Sequence, residues 1–345
     1  MTTVRPTRDP AEPPATPGAD DVVTVSDLSV TAGGHALVAD VGFRIRAGER
    51  VGLIGESGSG KSLTALALMG LLPDGLHPSG SVRVAGVDAE LVGADERTLS
   101  AVRGRDVAMV FQEPMTALNP TMRVGQQVAE SLLIHRSGAQ RDRRSTQAAA
   151  VELLDQVGVP DPAAAARAYP HQFSGGQRQR IVLAVALAND PALLICDEPT
   201  TALDVTVQAR VLDLIVRGVE ERRSAMLFIT HDLAVVATAC ERVMVMYGGR
   251  IVEAGPVREV LTRPRHRYTQ GLVGASDLSA VDDRGRLVTI PGTVPAAGRF
   301  PSGCVFRSRC TWADDTCSDL PPWTTTGPES GHACVHPASE EVTRG

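Results

Sequence analysis

The chain has 345 residues, of which 43% are hydrophobic, and its formal net charge at pH 7 is −6. This length and this apolar content predict one large domain with an extension, or two domains. The net charge gives no general attraction to nucleic acid, and an aromatic content of 3% argues against a protein that stacks single-stranded bases.

The N-terminal residues, MTTVRPTRDPAEPPATPGAD, are rich in proline and small residues, which predicts a disordered tail over residues 1–21. They contain no apolar stretch of signal-peptide length. The longest uninterrupted apolar run, IVLAVALA at 181–188, is far shorter than the roughly 20 residues that cross a bilayer. We therefore expect neither secretion nor a membrane span.

A phosphate-binding loop is predicted at residues 55–62, where GESGSGKS fits the pattern G-x-x-x-x-G-K-[ST]. A buried strand, RVGLIG, precedes it and a helix, SLTALALMG, follows it, as the motif requires. The glycines allow backbone N–H groups to point at a phosphate, and the helix N-terminus adds partial positive charge. Lys61, the single lysine of the chain, is expected to reach the β- and γ-phosphates, and Ser62 to bind Mg²⁺. The alternative, a glycine-rich turn with a chance lysine, does not explain the flanking elements.

A second site is predicted at the end of the strand within ALLICDEPT. The apolar residues 193–196 form a buried strand that carries Asp197 and Glu198 to its C-terminal end, where parallel sheets bind their ligands. Asp197 is expected to help hold Mg²⁺ through water, and Glu198 to polarise the attacking water as general base. Paired acids at a strand end are often only a solvated turn, but the loop upstream favours the metal site. Cys196 reads as a small core residue.

The segment FSGGQRQRIVLAVALAND, residues 173–190, predicts a capped helix that ends at Asn189-Asp190-Pro191. Ser174 is a good N-cap, and Gly175 and Gly176 leave backbone N–H groups exposed at the helix start, which makes an anion site. A capped core helix alone would leave both glycines unexplained. The segment therefore predicts a second phosphate-binding surface.

Residues 173–190 resemble the signature motif of ATP-binding-cassette (ABC) ATPases. Other motifs of that family occur in the expected order: Gln112 in VFQEP resembles the Q-loop, ALD at 202–204 the D-loop, and His231 in FITHD the switch histidine. The resemblance implies an α/β fold, namely a P-loop NTPase core of ABC type with an antiparallel β subdomain and a helical subdomain at about 113–190. The strands VVTVSDLSV and SVRVAG are expected to build the antiparallel part.

The resemblance also implies an ATPase coupled to transmembrane transport, with ATP as substrate and Mg²⁺ as cofactor. Gln112 would sense the γ-phosphate and contribute to the Mg²⁺ site. His231 would contact the γ-phosphate and hold the water and Glu198 in line, although a lone histidine after a strand is more often structural. The loop residues expected to contact the nucleotide are Gly55, Glu56, Ser57, Gly58, Ser59, Gly60, Lys61, Ser62 and Leu63.

Family members of this kind are expected to dimerise head to tail, so that each signature closes over the partner's nucleotide. Asp204 would then act across the dimer contact, and ATP held by the other chain would be contacted by Ser174, Gly175, Gly176 and Gln177. The chain has one P-loop and one signature, so the partner is a second ABC ATPase subunit, either identical or different.

One position departs from the family pattern. ABC cassettes usually place an aromatic residue near position 32 to stack on adenine, whereas this chain has Ala32 in TAGGH. Adenine binding is therefore expected to be weaker, or its contact to be supplied by Val38 or by the partner. If base stacking is absent, nucleotide preference should be loose.

The segment FQEPMTALNP at 111–120 resembles the region after the Q-loop in oligopeptide and dipeptide importers, and YPHQFSGGQRQR at 169–180 also matches that class. EVLTRPRHRYTQGL at 259–272 is similar to the region that follows the cassette there, although Arg267 stands where a proline is usual. The 113–120 loop would pass domain closure to a coupling helix of a membrane subunit.

The resemblance implies a peripheral subunit at the cytoplasmic face of the inner or plasma membrane. Its partners would be two transmembrane permease subunits and, indirectly, an extracytoplasmic solute-binding protein, with no nucleic acid. The alternatives are an importer ATPase for nickel or another small solute, a soluble ABC ATPase not coupled to transport, and a regulatory metal protein with a vestigial ATP site.

Four of the six cysteines, Cys304, Cys310, Cys317 and Cys334, lie in an extension at 263–345 that follows a nucleotide-binding domain at 22–262. A reducing compartment makes metal a better explanation than disulfides. The spacing C-x5-C-x6-C-x16-C lacks the short pairs of structural zinc sites, which favours a [4Fe–4S] cluster over zinc. The resemblance favours the cluster too. The cluster would stabilise the fold of the extension, and His332 and His336 are not expected to be ligands.

Overall fold

A computed structural model of the chain describes residues 18–111, 117–135, 142–200, 204–277, 285–287 and 289–338. Several sequence-based predictions lie outside these residues. They concern most of the N-terminal tail, Gln112, residues 113–116 of the expected coupling loop, and residues 202–203 of the D-loop motif.

A three-stranded antiparallel sheet lies near the N-terminus, with the strand order β2-β1-β4. Its strands are β1 (Asp21–Ala32), β2 (His35–Arg46) and β4 (Leu76–Val84). Apolar residues of β1 such as Val23, Val25 and Val30 are buried, while their neighbours along the strand are more exposed, as expected for a sheet with one solvated face. The predicted antiparallel subdomain is confirmed.

The main sheet has the order β10-β11-β9-β8-β3-β7-β6-β5. Its parallel strands are β3 (Arg50–Ile54), β5 (Val107–Val110), β6 (Leu193–Asp197), β7 (Ala225–Thr230) and β8 (Arg242–Tyr247). The antiparallel strands are β9 (Arg250–Pro256), β10 (Thr324–Gly327) and β11 (Ser330–His332). Because β11 pairs with β9, the C-terminal extension continues the main sheet.

Helices cover this sheet and fill the segment between β5 and β6. Before β5 the chain forms α1 (Lys61–Leu68) and α2 (Glu96–Val102). Between β5 and β6 it forms α3 (Val124–His135), α4 (Arg143–Gln156), α5 (Pro162–Ala165) and α6 (Gly175–Leu187). After β6 it forms α7 (Val205–Arg222), α8 (Leu233–Ala239), α9 (Val257–Thr262) and α10 (Arg267–Ser276). Within the described ranges, none of the helices combines the length and the apolar character needed to cross a membrane.

The core consists of two apolar clusters, one on each face of the main sheet. Successive strand residues alternate between them, as Leu53 and Ile54 show, since Leu53 packs toward the antiparallel sheet and Ile54 toward the helices. Cys196 and Cys240 are buried in the helical cluster, which confirms their interpretation as core residues. Burial on both faces explains why the parallel strands are continuous apolar runs.

Arg267 begins α10 and holds a later part of the extension against it. Its guanidinium carbon lies 4.1 Å from the ring centroid of Trp312, and its Nε donates a hydrogen bond of 2.8 Å to the carbonyl of His336. Nη2 donates to the carbonyl of Pro337. The arginine that replaces the usual proline therefore joins three parts of the extension.

Candidate active site

The predicted phosphate-binding loop connects β3 to α1, as the sequence indicated. Gly55 has φ +153, and a Cβ atom there would collide with the carbonyl oxygen of Met246 in the neighbouring strand β8. The loop backbone thus lies against the sheet in a way that requires glycine. Helix α1 begins at Lys61 without a side-chain cap, so its first N–H groups remain available to an anion.

Lys61 is buried inside this loop, with 6% of its surface exposed. Its ammonium donates hydrogen bonds to the carbonyl oxygens of Gly55 at 2.7 Å and Glu56 at 3.1 Å. Burial lowers the pKa of Lys61, and the nearby carboxylates, Glu198 foremost, act in the opposite direction. The Lys61 ammonium is therefore held by backbone carbonyl groups of the phosphate-binding loop, and it can exchange these contacts for phosphate oxygens.

Ser62 and Asp197 meet where α1 begins and β6 ends. The Ser62 hydroxyl donates a hydrogen bond of 3.1 Å to Oδ1 of Asp197, whose side chain is buried. Burial raises the pKa of Asp197, and the hydrogen bond from Ser62 partly offsets that rise. A hydroxyl beside a carboxylate is an oxygen pair of the type that Mg²⁺ prefers, so both residues fit the predicted metal site.

Glu198 and His231 lie at the ends of the adjacent strands β6 and β7. The backbone N–H of Glu198 donates to the carbonyl of Ile229, and Glu198 has φ +46. Nδ1 of His231 lies 3.4 Å from Oε1 of Glu198, and 59% of the histidine side chain is exposed. The structure thus assembles the candidate catalytic residues Lys61, Glu198 and His231, while Gln112 falls outside the described residues.

The signature segment begins helix α6 with the N-cap that the sequence predicted. The Ser174 hydroxyl accepts a hydrogen bond from the N–H of Gln177, and the Gln177 side chain accepts one from the N–H of Ser174. A Cβ at Gly176 would lie 2.5 Å from Cγ1 of Val207 on α7, so close helix packing accounts for this glycine. Gly175 is exposed and leaves its backbone open to solvent.

Two further residues have clear positions. Asp204 caps α7 by accepting a hydrogen bond of 3.0 Å from the N–H of Val207. Val38 is completely buried, so the expectation that its side chain offers a surface to adenine is wrong. It packs in the core beside the antiparallel sheet, whereas Ala32 ends β1 opposite His35.

Two contacts of Glu56 in the phosphate-binding loop were missed by the sequence analysis. Its N–H donates a hydrogen bond of 2.7 Å to the hydroxyl of Tyr268, and its carboxylate accepts hydrogen bonds from both Nη atoms of Arg309. Both partners belong to the extension. No local pattern could have revealed a contact between residues 253 positions apart.

The four clustered cysteines occupy one region of the extension. Cys304 and Cys317 are buried, Cys310 and Cys334 are half-buried, and the N–H of Cys304 donates to the carbonyl of Cys317 at 3.0 Å. Burial raises the pKa of Cys304 to about 11, and the other three cysteines add to that rise. Burial also raises the pKa of Cys310 and of Cys334. Burial therefore disfavours the thiolate forms of Cys304, Cys310 and Cys334 in the metal-free chain.

His336 is closer to the cysteines than its interpretation as a bystander suggested. Its Nε2 lies 2.9 Å from Oδ2 of Asp314, and potential ligand atoms of Asp314, Cys317 and His336 all lie within 4.8 Å of one another. His332 is buried on β11, and its Nδ1 has no hydrogen-bond partner among the residues that the structure describes.

Family models match two parts of the chain. The model described as "ABC transporter" matches residues 38–201, and the model described as "Oligopeptide/dipeptide transporter, C-terminal region" matches residues 252–317. The second match covers strand β9, helices α9 and α10, and three of the four clustered cysteines.

Similar proteins of known name include two from bacteria. A Brucella melitensis protein that carries the name of a peptide import ATP-binding protein is 48% identical over 309 residues, which cover 86% of this chain and 90% of that protein. The oligopeptide transport ATP-binding protein OppD of Salmonella typhimurium is 43% identical over 327 residues, which cover 93% of this chain and 96% of that protein.

Among solved structures, the chain is similar to the ATP-binding cassette MJ0796, solved as a dimer in a post-hydrolysis state with ADP and phosphate. The TM-score is 0.60 at 27% sequence identity, and the alignment covers 68% of this chain and 99% of that one.

Proposed function

Because the chain belongs to the ABC transporter ATP-binding proteins, in their oligopeptide and dipeptide class, we propose that it is the ATP-hydrolysing subunit of a peptide importer. The names of the relatives from Brucella melitensis and Salmonella typhimurium support peptides as the transported solute, in preference to nickel or another small solute. The match of residues 252–317 to the C-terminal model supports this class over an ABC ATPase that is not coupled to transport.

The residues of the site account for the hydrolysis of ATP to ADP and phosphate. Mg²⁺ supplies charge neutralisation at the phosphates, and Ser62 and Asp197 would hold it. Lys61 exchanges its carbonyl contacts for phosphate oxygens. The carboxylate of Glu198 takes the proton of the attacking water, and His231 orients that carboxylate from the neighbouring strand. The roles of Gln112 at the γ-phosphate and at Mg²⁺ are part of this proposal.

The second half of the site comes from a second ABC ATPase subunit. Ser174, Gly175, Gly176 and Gln177 would contact ATP on that subunit, and Asp204 would act across the contact. The exposed start of α6 supports this arrangement, because Gly175 and Gly176 place their backbone N–H groups at the helix N-terminus, whereas those of Ser174 and Gln177 are used by the cap. The dimeric state of the similar cassette MJ0796 also supports it.

The contact between Glu198 and His231 at the ends of β6 and β7 is the observation that carries the hydrolytic function. Replacing Glu198 by Gln keeps the side-chain shape but removes the base. We expect the E198Q variant to retain MgATP and accumulate as an ATP-bound dimer, with turnover reduced at least about 100-fold. The matched control is E259Q, on the exposed face of α9, which should hydrolyse ATP like the wild type. Unchanged hydrolysis by E198Q would remove Glu198 as the base.

The transport partners are two permease subunits, with a solute-binding protein acting on the outer side of the membrane. The chain would bind at the cytoplasmic face as a peripheral subunit. Co-purification of the tagged chain from membranes with two polytopic proteins tests this assembly. Uptake of labelled dipeptides, oligopeptides and nickel by cells with and without the chain tests the solute.

For the cysteines, we infer a metal site in which a [4Fe–4S] cluster is favoured over zinc. Within the described residues, no three of the four thiols lie within 4.8 Å of one another. Four thiolates on one zinc ion would lie roughly 3.8 Å apart, given Zn–S distances near 2.3 Å. The sequence spacing of the four cysteines, which lacks the short C-x2–4-C pairs of structural zinc sites, supports the cluster.

The zinc alternative has its own ligand group, formed by Asp314, Cys317 and His336. Carboxylate, thiolate and imidazole are ordinary zinc ligands. Cys317 is shared by both arrangements, so the two exclude each other. Residues outside the shared position can therefore distinguish them.

Iron, zinc and acid-labile sulfide should be measured on protein purified without oxygen. We expect about four iron and four sulfide per chain, lost in C310S and kept in H336Q. About one zinc per chain, lost in H336Q and kept in C310S, would establish the zinc arrangement instead. The absence of both metals would overturn the inference of a metal site.

A further inference from the structure

We propose that Arg309 of the extension is a positioning residue for the phosphate-binding loop, because it holds and neutralises the carboxylate of Glu56. The inference rests on the proposed function in one respect, namely that this loop binds ATP. It assigns to the extension a direct role in nucleotide affinity.

The guanidinium of Arg309 is fixed in one orientation. Nη1 lies 2.6 Å from one carboxylate oxygen of Glu56, and Nη2 lies 3.2 Å from the other, which makes a bidentate pair. Nε donates a hydrogen bond of 2.8 Å to the carbonyl of Pro291, and Nη1 also lies 3.3 Å from the hydroxyl of Tyr247. Only 4% of the arginine side chain is exposed. The pair is therefore shielded from solvent on the arginine side and is stronger than an exposed ion pair.

A second contact holds the backbone of the same residue. The N–H of Glu56 donates to the hydroxyl of Tyr268, which is fully buried and packs against Tyr247 with ring centroids 4.5 Å apart. Phe306, three residues before Arg309, packs against both rings. Glu56 is thus fixed at its N–H by Tyr268, within an aromatic cluster that the extension completes, and at its carboxylate by Arg309.

The charge of Glu56 explains why this pair affects ATP. Its carbonyl accepts a hydrogen bond from Lys61, and its carboxylate is one of the negative charges that act on that ammonium. An uncompensated carboxylate at this place would weaken the attraction of the loop for a triphosphate. Arg309 supplies the opposite charge in a rigid, two-point contact. Arg309 therefore keeps the loop ordered and keeps its electrostatic attraction for anions.

The test is a titration of the full-length chain with mant-ATP and Mg²⁺. Substituting Arg309→Met should raise Kd about tenfold, equivalent to about 1.4 kcal/mol, and should raise the Kd for mant-ADP less. Adding Glu56→Gln to Arg309→Met should restore most of the affinity, because it removes the uncompensated charge. Arg309→Lys, which keeps the charge but not the fork, should lose less than Arg309→Met. The matched control is Arg307→Met in the same turn, where the guanidinium contacts Ser302 and should leave Kd unchanged.

The outcomes separate the alternatives. An Arg309→Met chain that binds mant-ATP within about twofold of wild type would overturn the proposal. A loss of affinity that Glu56→Gln does not reverse would also overturn it, since a purely structural role predicts that the double variant is at least as impaired. A wild-type chain that neither binds nor hydrolyses ATP would instead refute the proposed function. If Arg309→Met fails to fold, the Kd values for mant-ATP of Arg309→Lys and Arg307→Met are compared instead. A higher Kd for Arg309→Lys supports the proposal. Equal Kd values for both variants and the wild type would contradict a need for the two-point contact of the guanidinium.

Discussion

The hydroxyl of Ser62 donates a hydrogen bond of 3.1 Å to Oδ1 of Asp197, although the two residues are 135 positions apart in the chain. The contact joins the start of helix α1 to the end of strand β6, across the intervening strand β7. Each residue was assigned to Mg²⁺ from a separate motif. Their meeting supports a single oxygen-lined metal site beside Lys61.

Replacing Asp197 by Asn should make nucleotide binding nearly independent of Mg²⁺. The substitution removes the negative charge that balances the ion, so the ratio of Kd values for mant-ATP with EDTA and with Mg²⁺ should fall toward one. Hydrolysis should drop about 100-fold or more, because positioning of the metal contributes several kcal/mol at the transition state. The control is D213N, an exposed residue of α7 paired with Arg217. Undiminished Mg²⁺ dependence in D197N would exclude Asp197 from the metal site.

Replacing His231 by Ala should lower kcat about 100-fold with little change in KM. The 3.4 Å contact with Glu198 is long for a hydrogen bond, and such contacts often tighten only when substrate is bound. A loss of kcat at constant KM is expected for a group that acts mainly in the transition state. The control is H77A, an exposed histidine of β4. A rise in KM of about 100-fold without loss of kcat would contradict the role of His231 in orienting Glu198.

Two matched helix-cap variants can separate folding from subunit contact. Ser174 caps α6 and Asp142 caps α4, each by accepting a hydrogen bond from a backbone N–H three residues later. S174A should lower ATPase activity about tenfold at unchanged affinity for mant-ATP, because its own loop is intact while its contact with the partner's ATP is lost. D142A loses a comparable cap and should keep its activity. Equal losses in both variants would show that only helix stability is affected.

Motifs with local spacing were predictable from the sequence. The phosphate-binding loop, the strand that ends at Asp197, and the capping pair of Ser174 and Gln177 depend on neighbours within a few residues, so their patterns determine their geometry. The antiparallel sheet followed from the resemblance to ABC ATPases, and both strands named for it pair with each other in the structure.

Contacts that depend on tertiary packing were not predictable. Val38 was one candidate for the adenine contact, but its side chain is buried in the core beside the antiparallel sheet. The pair of Glu56 and Arg309 exists because the extension folds back over the loop. That approach has no signal in the spacing of either residue.

His266 should make the stability of the extension depend on pH. Burial lowers its pKa to about 3, and its Nδ1 accepts a hydrogen bond from the N–H of Tyr268. The unfolded chain binds a proton near pH 6.5 and the folded chain does not, so stability is lost as pH falls from about 6.5 toward 3. Between pH 7.5 and 5.5 the loss should be about 1.4 kcal/mol.

The measurement is urea unfolding followed by tryptophan fluorescence, because both tryptophans, Trp312 and Trp323, lie in the extension. Between pH 7.5 and 5.5, the H266N variant should lose about 1.4 kcal/mol less of its free energy of unfolding than the wild type does. H77N, altered at an exposed histidine, should behave like the wild type. The neighbours His332 and Glu253 remain in all three proteins and cancel in the comparison. Identical pH dependence in H266N and wild type would show that His266 is not the source.

Arg267 should stabilise the extension by about 1–2 kcal/mol through its stacking on Trp312 and its hydrogen bonds to the carbonyls of His336 and Pro337. Arg267→Met removes these contacts and should lower the urea midpoint of the tryptophan signal. Arg267→Pro, the residue usual in the resembling class, suits the first position of α10 but lacks the guanidinium, so it should be destabilised similarly. The control is Arg258→Met, on the exposed face of α9. A methionine variant as stable as the wild type would remove Arg267 as a stabilising contact, whereas a proline variant more stable than the methionine variant would show that the rigid helix start offsets part of the loss.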